Sequence, residues 1–170
     1  PHKWLGAQFD CAVQFLRDPR PQVKTLGLRP TYLETAGREE IVNFNEWTVP
    51  LGRRFRALKL WFHLRAYGLE GLRTMIRNHV AWAAEACEAL RVLPGVTITT
   101  EPRLSLFTFA LADDAATEAL LSRINDDGRI YLTQTRHGGR YVIRVQVGQF
   151  DCTRDDVMAI PQVVAELMEV

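Results

Sequence analysis

Apolar positions along this chain follow two regimes. From about residue 53 to 93 they recur at helical spacing. Phe55, Leu58, Trp61, Phe62 and Leu64 predict a helix beginning near Arg53 with a wide apolar face. Tyr67-Gly68 interrupts it. Leu69, Leu72, Ile76, Val80, Ala83, Cys87 and Leu90 then predict a second helix, ended by Pro94-Gly95. Beyond residue 95, strand and helix patterns alternate. Residues 96–100 and 104–111 read as strands, and 114–127 as a helix with acidic residues at its start. Residues 129–134 and 140–147 read as a strand pair around the His137-Gly138-Gly139 turn. Thr153-Arg154-Asp155-Asp156 has the form of a capping box opening the last helix, which Pro161 is expected to kink or split.

Ahead of residue 53 the pattern is less regular. Residues 5–16, LGAQFDCAVQFL, read as a buried strand or strand pair broken by Asp18-Pro19-Arg20-Pro21. From about 22 to 49 the segment is irregular and punctuated by Gly27, Pro30 and Gly37. Loops this long inside compact proteins are usually functional or disordered. The layout of the second half is a small sheet with helices packed against it, an α/β or α+β domain.

Composition narrows the partners. The chain has 170 residues, 47% of them hydrophobic, with a formal net charge of +1. Nothing in that balance points to nucleic acid or an anionic membrane surface. Basic residues do cluster at Arg53, Arg54, Arg56 and Lys59, in one short stretch. No apolar run approaches the roughly 20 residues of a membrane span. Cys11, Cys87 and Cys152 are scattered, odd in number and without metal spacing, which fits a reducing cytoplasm. His2, His63, His79 and His137 show no ligand spacing, and no metal is expected. His63 and His79 lie on or beside apolar helix faces, where satisfied structural histidines are the expectation.

Four positions could carry chemistry. Lys3, in Pro1-His2-Lys3-Trp4, offers an amine able to form an imine with a carbonyl cofactor, with flanking rings that could orient a planar group. Tyr32, in Arg29-Pro30-Thr31-Tyr32-Leu33, offers a phenol on a long loop that could close over a site and deliver a proton. Gly52, in Pro50-Leu51-Gly52-Arg53-Arg54, precedes a basic helix start whose N–H groups could meet a phosphate. Arg144 alternates with the apolar odd-numbered residues of 141–147 and could bind a carboxylate bidentately. Each has a plain alternative: a surface lysine, a loop-packing tyrosine, a simple turn, a salt-bridged arginine.

Taken in order, PHKW at 1–4, FDC at 9–11, RPTYL at 29–33, EWTVPLGRRFRALKLWFHLRAYGLEGLR at 46–73, IRNHV at 76–80, RINDDGRIYL and YVIRV resemble the pyridoxal-phosphate-dependent group II decarboxylases, above all the aromatic-L-amino-acid type. The resemblance implies fold type I, aspartate-aminotransferase-like, ending in a small α/β domain. It implies that 1–55 close the cofactor-binding large domain and carry its lysine and mobile catalytic loop. Residues 56–92 would be linking helices and 93–170 the small C-terminal domain. Lys3 would hold pyridoxal 5'-phosphate, with His2 beside it. Tyr32 would protonate the substrate α-carbon after carbon dioxide leaves. Gly52 would approach the cofactor phosphate of the partner subunit, and Arg144 would lie near the substrate carboxylate.

The implied activity is decarboxylation of an L-amino acid, aromatic in type, by a cytoplasmic homodimer with shared active sites. The family's other cofactor ligands precede its lysine, so the chain is expected to need an N-terminal part of the same enzyme. Alternatives are an aldehyde synthase or an acidic-amino-acid decarboxylase of the same family, or a non-catalytic dimerisation fragment in which Lys3 is incidental. Tyrosine at position 32 favours amine formation over oxidation to an aldehyde.

Overall fold

A computed structural model describes residues 1–27 and 42–169. Its helices are α1 (Arg20–Leu26), α2 (Arg56–Tyr67), α3 (Leu69–Arg91), α4 (Asp114–Asp127) and α5 (Arg154–Met168). Its strands are β1 (Thr97–Arg103), β2 (Leu106–Ala110), β3 (Thr133–His137) and β4 (Arg140–Gln146). They form one four-stranded sheet in the order β1-β2-β4-β3, and every neighbouring pair is antiparallel. The architecture is α/β with a small antiparallel sheet.

Register on the sheet follows from apolar alternation. Phe107 pairs with Val145 and Phe109 with Ile143, so both pairs project to the same face. Ala83, Ala86, Cys87 and Leu90 of α3 join that face, with Leu120, Leu121 and Ile124 of α4 and Val157, Ile160 and Val164 of α5. Burying a Phe, Leu or Ile side chain stabilises by about 1.5–3 kcal/mol, so this cluster holds the three helices to the sheet. Local signals place the helix ends. Asp113 accepts the Ala116 N–H at 2.8 Å to start α4, and Gly128 ends it at φ +80°. Thr153 and Asp156 form the expected reciprocal capping box on α5. Gly68, at φ +68°, separates α2 from α3.

Several expectations give way. Residues 5–16 form no strand. The segment turns at Gly6, at φ +67°, and leaves Phe9 and Phe15 exposed, so its apolar residues do not line a sheet. The prolines at 19 and 21 open a helix instead of breaking a strand. They lie at the start of α1, where a missing N–H costs nothing. The irregular stretch therefore begins with a helix and also holds a 3-10 turn at Phe44–Glu46. α2 begins at Arg56, three residues after the predicted start. Residues 129–132 are not strand, because the Asn125 side chain bonds both the N–H and the carbonyl of Leu132, at 2.9 and 3.1 Å. Pro161 does not split α5 into two. The helix runs through it, with Pro161 buried beside Val157, Ile160 and Val164, and that packing offsets the lost hydrogen bond.

Candidate active site

The site grows from a backbone-bonded turn at residues 1–11. Ala7 N–H donates to the Pro1 carbonyl at 3.2 Å, and Gly6 N–H to the Lys3 carbonyl at 3.1 Å. The His2 ring donates from Nδ1 to the Cys11 carbonyl at 2.9 Å. A carbonyl only accepts, so Nδ1 carries the proton in this bond. The Cys11 N–H lies 3.4 Å from the same nitrogen, too long to compete. Ala7 and Cys11 are buried beneath the turn, while the Lys3 side chain stands exposed, with no hydrogen bond or ion pair among the described residues.

Contacts with distant residues dock this turn onto the rest of the chain. Trp4 Nε1–H donates to Nδ1 of His79, a buried residue of α3, at 2.9 Å. His79 Nε2 lies 3.4 Å from Cys152 Sγ, just ahead of α5. Burial pushes the His79 ring below its ordinary pKa and pushes the Cys152 thiol up, so both are neutral near pH 7. At Gly6, a Cβ would meet the Phe150 ring at 2.5 Å. Any side chain there would displace that ring.

A surface cleft of about 380 Å³ opens beside the turn, lined by His2, Asp10, Thr48, Gly52, Arg54 and Arg56 among others. Asp10 gathers the basic stretch. Its carboxylate takes Arg54 at 2.7 Å and Arg56 at 2.9 Å, with Lys59 at 3.9 Å. The Arg56 hydrogen bond, aided by Arg54, holds the Asp10 carboxyl below the usual carboxylate range. Arg53 also lines the cleft and donates to the Phe44 carbonyl at 2.6 Å. The cleft thus sets three guanidiniums against one carboxylate, a balance that suits an anion. Gly52 sits four residues before α2, so its N–H is not part of the first helical turn. A Cβ on Gly52 would meet nothing within 4 Å, which leaves its backbone open to close approach.

The predicted residues therefore divide. His2 and Gly52 line one cleft, and Lys3 adjoins it in sequence. Arg144 does not line it. It sits half-buried on β4 between Thr108 of β2 and Thr133 of β3. Tyr32 lies outside the described residues. Sequence reasoning overlooked Asp10 as the partner of the basic cluster and His79 as the partner of Trp4. The one charge inside the apolar run 5–16 was a signal for the first; nothing local signalled the second.

These features fit pyridoxal 5'-phosphate. Lys3 offers an amine unpaired among the described residues, Gly52 an open backbone, and the arginines an excess of positive charge. Asp10 is already engaged by cations and is not free for a ring nitrogen.

Residues 1–112 match the family model described as the pyridoxal-dependent decarboxylase conserved domain. The aromatic-L-amino-acid decarboxylase of Drosophila lebanonensis is 37% identical over 148 residues, covering 86% of this chain and 37% of that protein. Tyrosine decarboxylase 2 of Narcissus pseudonarcissus is 35% identical over 157 residues, covering 86% of this chain and 31% of its own. A crystal structure of Oryza sativa TDC with PLP and tryptamine superposes with a TM-score of 0.80 at 27% identity, covering 86% of this chain and 33% of that one. The chain spans about a third of the length of the curated relatives it matches. Among the described residues, no helix is long and apolar enough to cross a membrane.

Proposed function

The chain belongs to the pyridoxal-dependent decarboxylases, and on that premise we propose that it is the lysine-bearing part of an enzyme that converts an aromatic L-amino acid to its amine and carbon dioxide. The observation that carries this reading is Lys3: an exposed amine, unpaired among the described residues, on a bonded turn whose adjoining His2 lines a cationic cleft with Gly52.

Bound pyridoxal phosphate supplies an electron sink for the pair of electrons left when the carboxylate departs. The residues of this chain divide the remaining tasks. Lys3 would hold the cofactor through Nζ, which must give up its proton to do so. His2, held by the Cys11 carbonyl, keeps its Nε2 free to face the cofactor. The Gly52 backbone and the arginines around it take a phosphate, that of a partner subunit in this reading. Arg144 orients the substrate carboxylate. Tyr32 hands a proton to the substrate α-carbon. Residues 1–55 close the large domain, 56–92 link, and 93–170 form the small domain. The further cofactor ligands come from an N-terminal part of the same enzyme, which works as a cytoplasmic homodimer.

Borohydride treatment of the cofactor-loaded enzyme, followed by mass spectrometry, tests this directly. The reduced adduct is expected on Lys3, and Lys3→Ala should lose both the adduct and the visible cofactor band. A variant that binds and reduces cofactor as the wild type does would refute the assignment.

A further inference from the structure

We propose that His79 is a positioning residue for Lys3: it accepts the Trp4 indole N–H and, through Cys152, ties the Lys3 turn to the start of α5. This rests on the reading of Lys3 as the cofactor lysine.

The geometry defines one protonation state. An indole N–H can only donate, so His79 Nδ1 must present its lone pair to Trp4 at 2.9 Å. In the neutral ring the proton then sits on Nε2, which donates toward Cys152 Sγ at 3.4 Å. The Trp4 and His79 ring planes are nearly parallel, 9° apart, with centroids 6.4 Å apart, an orientation that allows the N–H···N bond. Trp82 also packs on His79, with ring centroids 5.9 Å apart. His79 is 1% exposed, so water cannot replace Trp4 as its donor. Losing that donor would leave a buried acceptor unpaired.

A second clamp holds the same turn three residues on. Phe150 fills the space that a Cβ on Gly6 would need, and itself packs on Tyr67 at 4.9 Å and His63 at 5.2 Å. A Cβ on Gly148 would lie 3.9 Å from the Trp4 ring. Lys3 thus comes directly before Trp4 and three residues before Gly6, and both of those are seated on residues 148–152, Trp4 through His79 and Cys152 and Gly6 directly against Phe150. The position of a cofactor amine is set by a segment nearly 150 residues away in the chain. A shift of about 1 Å in a reacting group is enough to cost about a hundredfold in rate.

The test compares His79→Phe, which keeps a ring without an acceptor, His79→Asn, which restores an acceptor near Nδ1, and Trp4→Phe, which removes the donor. In the cofactor-free protein, the Trp4 indole ¹H–¹⁵N resonance should move upfield in His79→Phe and stay near its wild-type position in His79→Asn. In the holoenzyme, His79→Phe and Trp4→Phe should each weaken cofactor binding about tenfold, the double variant no further, and His79→Asn should recover most of the loss. An unshifted indole resonance, or losses that simply add, overturns the proposal. If His79→Phe does not fold, Trp4→Phe decides alone, and wild-type cofactor affinity there overturns it. A wild-type borohydride adduct found away from Lys3 overturns the functional reading itself. An adduct on Lys3 with unshifted variants overturns the positioning role only.

Discussion

Lys3 and Asp10, seven residues apart, are treated in opposite ways by the fold. Among the described residues Lys3 has no hydrogen-bond or ion-pair partner, while Asp10 is given three cations and so keeps the arginine cluster in place. Neither environment follows from local sequence, since the partners of Asp10 are more than 40 residues away. Two predictions belong at this scale. In the proposed reading, Tyr32→Phe should retain cofactor binding and carbon dioxide release but move product from amine toward aldehyde. Product chromatography checks this, and an unchanged amine yield removes Tyr32 from proton delivery. The second concerns His79, whose pKa is lowered below 6.5 by burial. Between that lowered value and about 6.5 the unfolded chain binds a proton that the folded chain does not. Its contribution to stability is therefore complete above about pH 6.5 and is lost as pH falls below it, by up to about 1.4 kcal/mol per pH unit. Denaturant titrations from pH 7.5 to 5 should show this slope in the wild type and a flatter one in His79→Asn.

Elements with strong periodicity and chemical end signals were readable from sequence. α3, α4 and α5 combine an apolar stripe with a glycine, an aspartate cap or a capping box, and each lies where those signals place it. Elements whose limits depend on a distant side chain were not. β3 starts late because Asn125 captures Leu132 first. Residues 5–16 carry a strand-like composition but find no strand to pair with. Pro161 breaks a local rule that core packing overrides. The capping box gives a direct test. Thr153→Ala removes the acceptor for the Asp156 N–H and should destabilise the fold by about 1–2 kcal/mol, seen as a lower midpoint in thermal or urea unfolding. A midpoint equal to wild type would show that packing alone defines the start of α5.

Across the whole molecule, apolar surface is unevenly spent. α2 has no buried residue, and Phe55, Trp61 and Phe62 are 74%, 54% and 57% exposed. Phe9 and Phe15, in the preceding segment, are exposed at 76% and 92%. A patch of this kind marks an interaction surface. With Gly52 assigned to a neighbour's phosphate, the proposed enzyme should sediment as a dimer, and Trp61→Glu with Phe62→Glu should shift it toward monomer with loss of activity. A fully active monomer in sedimentation equilibrium would refute the shared site. The sequence by itself determined the family, through PHKW and the ordered run from Trp47 to Leu72, and it determined most helices and the sheet's alternating face. These depend on residue type and short spacing, which are local properties. Only the tertiary structure decided what surrounds Lys3: the His79 acceptor, the Phe150 wedge at Gly6 and the Asp10–arginine cluster. Those contacts join residues 40 to 150 positions apart, and no local periodicity encodes which of them meet.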